Sequence, residues 1–358
     1  MEKVKFAVIG AGSGGVLMTV QLKQMGHSVK LMDKKKSLIE AIRNKGGVKA
    51  TGKTEGEVSP DLVTTDLKKC LEDAQVIMIC TTTDAHGDIA AEAAPHLRDG
   101  QIVVLNPGHL GGVLNFANAL KRAEGRAKIL LAEASDLMYA CRTVEPGHTL
   151  HTGVKAKVQL ASVPAQEARA VIDVLGPVFP SFSPAKSILH TSLSGTGALL
   201  HSIPCLLNMN KIELGQPFDY YMEGLTPNIC RVIEAADRER LALCAALGLE
   251  AHPLLDHLKA VYGLQPDNLY EAIQSCEPYR GLQSPKDANH RFVQEDTLSD
   301  LVPTASLGTM LGVPMPVYQS AITLASTLLG RDYAREGRNV NTLGIGGLTA
   351  AQLIDLVS

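Results

Sequence analysis

The chain has 358 residues, of which 45% are hydrophobic and 20% charged, and its formal net charge at pH 7 is -3. This length favours two domains over one, and the composition is that of an ordinary globular protein. The weak negative charge argues against a nucleic-acid surface, and no apolar run reaches membrane-spanning length. We therefore expect small molecules as partners, with no nucleic acid and no membrane.

The first half of the chain alternates short apolar runs with stretches of helical periodicity. Such alternation predicts parallel strands joined by right-handed helical crossovers. We therefore expect an α/β domain with a mostly parallel sheet. Its predicted strands are residues 5–9, 28–32, 76–80, 102–105, 129–132 and 157–161, and its first predicted helices are residues 15–25 and 37–45.

A glycine-rich turn, Gly10-Ala-Gly12-Ser13-Gly-Gly15, follows the first predicted strand and opens the first predicted helix. There the first glycine permits a tight turn, the second lets a pyrophosphate approach the backbone, and the third lets the helix pack on the strand. The helix N-terminus offers N–H groups to the phosphates. The turn predicts a Rossmann-type dinucleotide-binding domain, with Gly10, Gly12, Ser13 and Gly15 binding the cofactor.

An acidic residue, Asp33, directly follows the second predicted strand. At that position a carboxylate accepts hydrogen bonds from the adenosine ribose and repels a 2′-phosphate. Asp33 therefore favours NAD(H), with NADP(H) the less favoured cofactor. The lysines at positions 34 to 36 leave two interpretations open: a solvated surface, or a cationic site for a 2′-phosphate.

Two loops follow predicted strands at the edge where ligands of open α/β sheets bind. Cys80, Thr81 and Thr82 form the first loop, and Asn106, Pro107 and Gly108 form the second. We expect both loops to contact the ribose and nicotinamide of the cofactor. The alternative is that they are ordinary turns made of turn-forming residues.

From about residue 191 the chain shows long helical patterns and few strand signals. One helix is well delimited, with Thr226 as its N-cap, Pro227 in its first turn and Gly248 after its last apolar residue. Prolines between residues 177 and 184 separate the two halves. We predict a dinucleotide-binding domain of residues 1–188 and an all-α substrate and dimerisation domain of residues 189–358.

The seven cysteines are scattered along the chain and form no C-x-x-C pair. Such usage is typical of the reducing cytosol, where most cysteines are small apolar core residues. No histidine spacing suggests zinc. We therefore expect a cytoplasmic protein without a metal centre.

One histidine, His201, lies inside an apolar helical pattern, three residues before Pro204. A proline within a helix cannot donate a hydrogen bond to the carbonyl four residues earlier, so we expect a kink beside His201. A buried imidazole needs a partner. The residues alone leave open whether His201 is a core residue or an acid/base group.

Five segments of the chain resemble the opine dehydrogenases of the octopine/nopaline type. They are the glycine-rich turn, the turn Asn106-Pro-Gly-His, residues 133–142, the helix Gly195-x-Gly197-x-x-x-His201, and residues 291–303. The related β-hydroxyacid dehydrogenases carry a catalytic lysine at the position of His201. The resemblance therefore points to the opine branch.

This resemblance implies a catalytic pair of His201 and Asp296, with Arg291 binding a substrate carboxylate. A carboxylate that accepts from one imidazole nitrogen fixes the tautomer, and the other nitrogen exchanges protons with the substrate. The guanidinium fork of Arg291 suits a carboxylate. An ordinary surface ion pair between Arg291 and Asp296 stays open as an alternative.

Three further residues are candidates for substrate binding, and each has a structural alternative. Glu133 matches an acidic position that holds a guanidinium in relatives using arginine; the alternative is a bond to a backbone turn. Arg142 lies in the same segment, and its alternative is a surface pair with Glu145. Asn208 follows the His201 helix, and its alternative is to cap that helix.

The resemblance implies an NADH-dependent condensation of an L-amino acid with an α-keto acid such as pyruvate. The reaction passes through an imine and runs in both directions, and we expect aliphatic or hydrophobic amino acids to be preferred. Related chains imply a homodimer. Two alternatives stay open: a two-domain hydroxyacid dehydrogenase or keto acid reductase, and a nicotinamide-binding protein without turnover.

Overall fold

The computed structural model describes residues 3–358 and divides the chain into two compact units. The first unit ends at Ser192 and includes Leu356–Ser358, and the second is Leu193–Asp355. The observed division lies after residue 192, whereas the sequence places it after residue 188. The structure also assigns the last three residues to the first unit. None of the described helices is long and apolar enough to cross a bilayer.

The strands all belong to the first unit and form two sheets. They are β1 Lys5–Ile9, β2 Ser28–Met32, β3 Val48–Gly52, β4 Gly56–Val58, β5 Leu62–Thr64, β6 Val76–Ile79, β7 Ile102–Leu105, β8 Leu130–Ala134, β9 Tyr139–Glu145, β10 His148–Val154, β11 Val158–Ser162 and β12 Phe182–Pro184. Eight strands form the main sheet, in the order β12-β11-β8-β7-β6-β1-β2-β5.

The main sheet is parallel except where β11 runs antiparallel to β8. All six predicted strands are present in it, each within two residues of its predicted bounds. The reversal of strand order lies between β1 and β6, because β2 follows β1 on one side and β6 and β7 lie on the other. Such a switch point is where open α/β sheets bind ligands, at the carboxyl ends of the strands.

Helices connect the strands of the main sheet, as predicted. They are α1 Ser13–Gln24, α2 Lys36–Asn44, α3 Leu67–Leu71, α4 His86–Ala93, α5 Gly112–Arg122 and α6 Glu167–Leu175, and α7 Ile188–Leu193 follows the last strand. The core between helices and sheet includes the fully buried side chains of Phe6, Val8, Leu17 and Leu31. This packing fixes α1 directly behind the loop that leaves β1.

A second sheet, with strand order β4-β3-β10-β9, was not predicted. Its strands carry few of the continuous apolar residues that marked the others, and most of β9 is exposed. One face packs on α1, where Val48, Ala50 and Tyr139 enter the core of the unit. Short strands with a single buried face produce a weak sequence signal. The short edge strands β5 and β12 were missed as well.

The second unit is built of helices, which confirms the predicted all-α half. Its helices are α8 Gly197–Leu207, α9 Met209–Glu213, α10 Pro227–Ala246, α11 Leu254–Tyr262, α12 Leu269–Gln274, α13 Arg291–Asp296, α14 Val302–Met310, α15 Pro316–Leu329, α16 Tyr333–Glu336 and α17 Ala350–Val357, the last of which ends in the first unit. Between α13 and α14, Thr297–Leu301 forms a π-helical turn.

The helix α10 begins and ends where the sequence predicts. The Thr226 hydroxyl accepts the N–H of Ile229, and Gly248 adopts a φ of +64° just after the helix. An N-cap hydroxyl satisfies a backbone donor that has no partner within the helix, and a glycine tolerates the left-handed conformation that ends it. Local capping chemistry therefore sets both ends of this helix.

Candidate functional site

The glycine-rich turn between β1 and α1 has the close contacts that its motif predicts. Gly10 has a φ of +105°, and a Cβ placed there would lie 2.6 Å from the Cys80 carbonyl oxygen. A Cβ on Gly15 would overlap the carbonyl oxygen of Gly10, whereas a Cβ on Gly12 would meet nothing within 4 Å. The first and third glycines thus serve packing, and the second leaves open space beside the helix N-terminus.

The carboxylate of Asp33 is held by the backbone on both of its oxygens. Oδ2 accepts the N–H of Ala11 at 2.9 Å, and Oδ1 accepts the N–H of Lys35 at 2.9 Å. Asp33 therefore fixes the glycine-rich turn, a function that the sequence did not predict. A carboxylate oxygen has a second lone pair, so a ribose hydroxyl can still donate to it.

The two loops after β6 and β7 carry buried polar atoms that lack a partner among the described residues. They are Oγ1 of Thr81 and Oδ1 of Asn106, while Nδ2 of Asn106 donates to the Val104 carbonyl at 3.0 Å. Buried polar atoms of this kind call for a ligand or solvent partner. Since both atoms lie after adjacent strands at the switch point, they fit the hydroxyl and amide groups of a dinucleotide.

Side chains of β9 and of the loop before it also lie close to the N-terminus of α1. Leu137 lies over Gly14, where an added Cβ would be 3.0 Å from its Cδ2. Burial raises the pKa of the Cys141 thiol, and the neighbouring hydroxyls of Ser13 and Thr149 act in the opposite direction. Sequence reasoning missed Leu137 and Cys141, because nothing in the sequence pairs β9 with α1.

Glu133 corrects one prediction. Its side chain is fully buried in β8, where Oε2 accepts the N–H of Val113 at 2.8 Å and Oε1 accepts the hydroxyl of Thr191 at 2.6 Å and that of Ser192 at 3.3 Å. These donors join β8 to the start of α5 and to α7. The carboxylate of Glu133 therefore has the structural role given as its alternative, since it bonds to a backbone N–H and two hydroxyls. It is not positioned to hold a substrate guanidinium.

The other two substrate candidates are Asn208 and Arg142. Asn208 caps the end of α8, and its Nδ2 donates at 2.9 Å to the carbonyls of both Pro204 and Gly224. These bonds support the capping alternative, and a substrate contact of Asn208 stays a prediction. Arg142 is exposed on β9, and Glu145, its partner in the structural alternative, pairs with Lys45 at 2.9 Å. Substrate binding by Arg142 stays a prediction.

The side chains of His201 and Asp296 meet, although they are 95 residues apart in the chain. Nδ1 of His201, on α8, lies 2.7 Å from Oδ2 of Asp296 at the end of α13. The Asp296 side chain is 1% exposed and that of His201 is 19% exposed. The predicted contact is confirmed, and a buried carboxylate thus holds an imidazole that has one accessible side.

An aromatic ring fixes the plane of this imidazole. Phe292 stacks on His201 with centroids 3.8 Å apart and planes inclined by 8°, and the Ser202 hydroxyl donates to the Phe292 carbonyl at 2.9 Å. Phe292 lies in the segment of residues 291–303 that carries the family resemblance, but nothing in the sequence indicated that its ring stacks on His201. The imidazole is therefore restrained both at its edge and on its face.

Arg291 is exposed beside this pair. Its guanidinium lies 5.0 Å from the centroid of the Phe292 ring, and Asp296 pairs with His201 instead. The alternative of a surface ion pair with Asp296 is therefore wrong. Burial and then the charge of Arg291 lower the pKa of the adjacent His290. A planar cation next to an accessible imidazole is suited to a carboxylate substrate.

Comparisons with known proteins place the chain in a family. Residues 184–329 match the model of the NAD/NADP octopine/nopaline dehydrogenase α-helical domain, and residues 6–165 match that of ketopantoate reductase PanE/ApbA. The chain is 36% identical to the opine dehydrogenase of Arthrobacter sp. (strain 1C), with 98% of each chain covered. It is 26% identical to protein ocs of Agrobacterium tumefaciens (strain Ach5), also with 98% of each covered.

The fold is similar to that of a solved octopine dehydrogenase in complex with NADH and L-arginine. The TM-score is 0.78, 98% of both chains is covered, and the sequences are 19% identical.

Proposed function

The chain belongs to the opine dehydrogenase family, and from that membership we propose that it condenses an L-amino acid with an α-keto acid such as pyruvate. It is an NAD-dependent oxidoreductase acting on CH–NH groups. We propose hydrophobic or aliphatic amino acids as the amine donors. The observation that carries the proposal is the 2.7 Å contact between His201 and the buried Asp296.

The first unit provides the residues that hold the cofactor. The helix N-terminus at Gly12 and Ser13 faces the open space that suits a pyrophosphate, and Asp33 offers its remaining lone pairs to a ribose. Thr81 and Asn106 offer the buried atoms that lack a partner among the described residues. These residues would hold NADH, which would supply the hydride for reduction of the imine carbon.

The pair of His201 and Asp296 transfers protons to and from the substrates. With Nδ1 bonded to the carboxylate, Nε2 is the nitrogen that removes a proton from the substrate ammonium, so that the amine can attack the keto carbon. The same nitrogen then gives that proton to the carbinolamine oxygen, which leaves as water and yields the protonated imine. Asp296 stabilises the imidazolium formed between these steps.

One assay tests the function: oxidation of NADH is followed with pyruvate alone, and then with pyruvate plus L-norvaline, L-methionine, L-phenylalanine or L-arginine. We expect oxidation only when both substrates are present, with a product that is a secondary-amine dicarboxylic acid. Equal oxidation with the keto acid alone identifies a hydroxyacid dehydrogenase instead. Binding of NADH without any turnover identifies a binding protein.

Replacing Arg291 with lysine is expected to raise the KM for pyruvate. Lysine keeps the charge but loses the planar fork, and a charge-assisted hydrogen bond contributes about 1.5–3 kcal/mol, which corresponds to roughly tenfold or more in KM. The KM for NADH serves as the internal control and stays the same. An unchanged KM for pyruvate, with all other constants normal, removes Arg291 from substrate binding.

NADH is expected to exceed NADPH by at least about tenfold in kcat/KM, because Asp33 repels a 2′-phosphate. The control is the double variant Lys34→Ala/Lys36→Ala, which removes two lysine side chains close to Asp33 in the sequence and leaves the Asp33 carboxylate in place. Both lysines are exposed, so the preference stays unchanged in this variant. A preference for NADPH that disappears in the variant assigns these lysines to the 2′-phosphate.

The variant Glu133→Gln is expected to lower the free energy of unfolding without altering substrate preference. Both carboxylate oxygens accept hydrogen bonds, so one end of the amide would face a donor, at a cost of about 1–3 kcal/mol. Chemical denaturation followed by circular dichroism measures the loss. The ratio of kcat/KM for L-arginine to that for L-norvaline is expected to stay constant. A loss of kcat/KM that affects L-arginine alone contradicts this and supports substrate binding by Glu133.

We propose in addition that the protein is a cytoplasmic homodimer. All seven cysteines are free thiols, as expected in a reducing compartment. The helix α15 exposes Leu324 and Leu328, which are 38% and 42% accessible and lie one turn apart. Exposed leucines at this spacing support a dimer face on the helical unit.

A further inference from the structure

The helix that carries His201 has a gap in its backbone hydrogen bonds. Pro204 lies inside α8 and has no N–H, so it cannot donate to the carbonyl of Leu200 four residues earlier. Leu200 and Pro204 are both buried, with Leu200 5% exposed. A buried carbonyl needs a donor, and this one lies directly before the proposed acid/base residue.

A tyrosine from outside the helix supplies that donor. The hydroxyl of Tyr220 lies 3.2 Å from the Leu200 carbonyl oxygen and 2.7 Å from that of His201 itself. Tyr220 is 1% exposed, and its own N–H donates to the Leu282 carbonyl at 2.7 Å. The hydroxyl proton is therefore shared between two successive carbonyls, and the backbone of the donor is fixed as well.

The surroundings of this hydroxyl keep it a donor. Burial raises the pKa of Tyr220 well above its usual value, so the phenol stays protonated. The thiol of Cys205, 3.3 Å away, has its pKa raised to about 12 by burial, so it also stays neutral and donates to the phenol oxygen. The ring packs against Phe292, with centroids 5.5 Å apart, and Phe292 in turn stacks on His201.

We propose that Tyr220 is a positioning residue: by bonding to the carbonyls of Leu200 and His201 across the gap left by Pro204, it holds the His201 imidazole in line with Asp296. One helix turn with a missing backbone bond is free to shift, and the imidazole shifts with it. A misplacement of about 1 Å at a reacting group lowers the rate by about a hundredfold. The kinetic part of this proposal rests on the proposed function.

A double-mutant cycle of Tyr220→Phe and Pro204→Ala tests the proposal, because alanine restores the N–H that proline lacks. We expect Tyr220→Phe to lower kcat by roughly 10–100-fold and to leave the KM for NADH unchanged. In Tyr220→Phe/Pro204→Ala we expect most of that loss to be recovered, since the Leu200 carbonyl regains a backbone donor. A coupling of this kind is what a cycle isolates.

The matched control is Tyr333→Phe. Tyr333 is fully buried in the same unit, and its hydroxyl donates at 2.6 Å to the side chain of Gln294 rather than to the backbone beside His201. We expect this variant to lose stability but to keep its kcat within about threefold. An equal kcat loss in Tyr333→Phe and Tyr220→Phe, or no recovery in the double variant, overturns the proposal.

A spectroscopic measurement separates this proposal from the proposed reaction. In protein with ¹⁵N-labelled histidine, the proton between His201 and Asp296 gives a resonance that is assigned by its absence in His201→Ala. We expect it to broaden in Tyr220→Phe and to return in the double variant, whatever the enzyme turns over. An unchanged resonance in Tyr220→Phe refutes the positioning. If Tyr220→Phe alone does not fold, the double variant decides: wild-type resonance supports the proposal, and a lost resonance overturns it.

Discussion

Replacing Asp296 with asparagine is expected to lower kcat by about 10²–10⁴-fold, the range that a positioned acid/base group contributes. The amide keeps the shape of the side chain but loses its charge. It therefore no longer stabilises the imidazolium that forms when His201 takes a proton, and it no longer selects one tautomer. Because the carboxylate is 1% exposed, water does not replace it.

The measurement is steady-state oxidation of NADH at saturating substrates, together with circular dichroism to verify folding. Asp332→Asn is the matched control, since Asp332 lies in the same unit and is an exposed cap that accepts the N–H of Arg335. That variant loses a cap and keeps its kcat. If Asp296→Asn retains a kcat within about threefold of wild type, the contact with His201 has no part in proton transfer.

The sequence predicted the main sheet well, because its strands are buried on both faces. β6 and β7 are continuous apolar runs with every residue buried, and such runs are recognisable without any partner. β9 shows the opposite case, since only Tyr139 of its seven residues is buried. The second sheet forms because α1 covers one of its faces, and that partner is invisible in a local pattern.

In the candidate site, too, local features could be predicted from the sequence, and contacts between distant residues could not. The glycine-rich turn is a local motif with a local cause, so the sequence alone was sufficient. The pair of His201 and Asp296 spans 95 residues, and only the resemblance to a family connected them. The proline gap beside His201 was visible in the sequence, but the hydroxyl of Tyr220 that fills it was not.

Acidic residues show what sequence cannot specify. Glu133 and Asp33 both lie at or just after the carboxyl end of a strand, where ligands bind, and both turned out to accept backbone N–H groups. A carboxylate satisfies whichever donors the fold brings to it. The residue type and its position suggest chemistry, but burial and partners decide whether a substrate can reach it.

Removing the side chain of Arg240 is expected to lower the free energy of unfolding of the helical unit by about 3–5 kcal/mol, a large part of the roughly 5–15 kcal/mol of a typical domain. Arg240 and Asp237 lie on α10, 4% and 7% exposed, with a 2.7 Å ion pair. Asp237 also accepts the N–H of Leu254, and Arg240 donates to the carbonyls of Leu193 and His252.

The variant Arg240→Ala leaves the Asp237 charge buried without its cation, and this uncompensated charge is the main source of the loss. The chain has no tryptophan, and seven of its eight tyrosines follow residue 193, so tyrosine fluorescence during urea denaturation reports chiefly on the helical unit. Arg335→Ala is the control: its ion pair with Asp332 is 3.6 Å long and exposed, and it contributes at most about 1 kcal/mol. Equal losses in the two variants contradict the argument, because burial is the property that separates them.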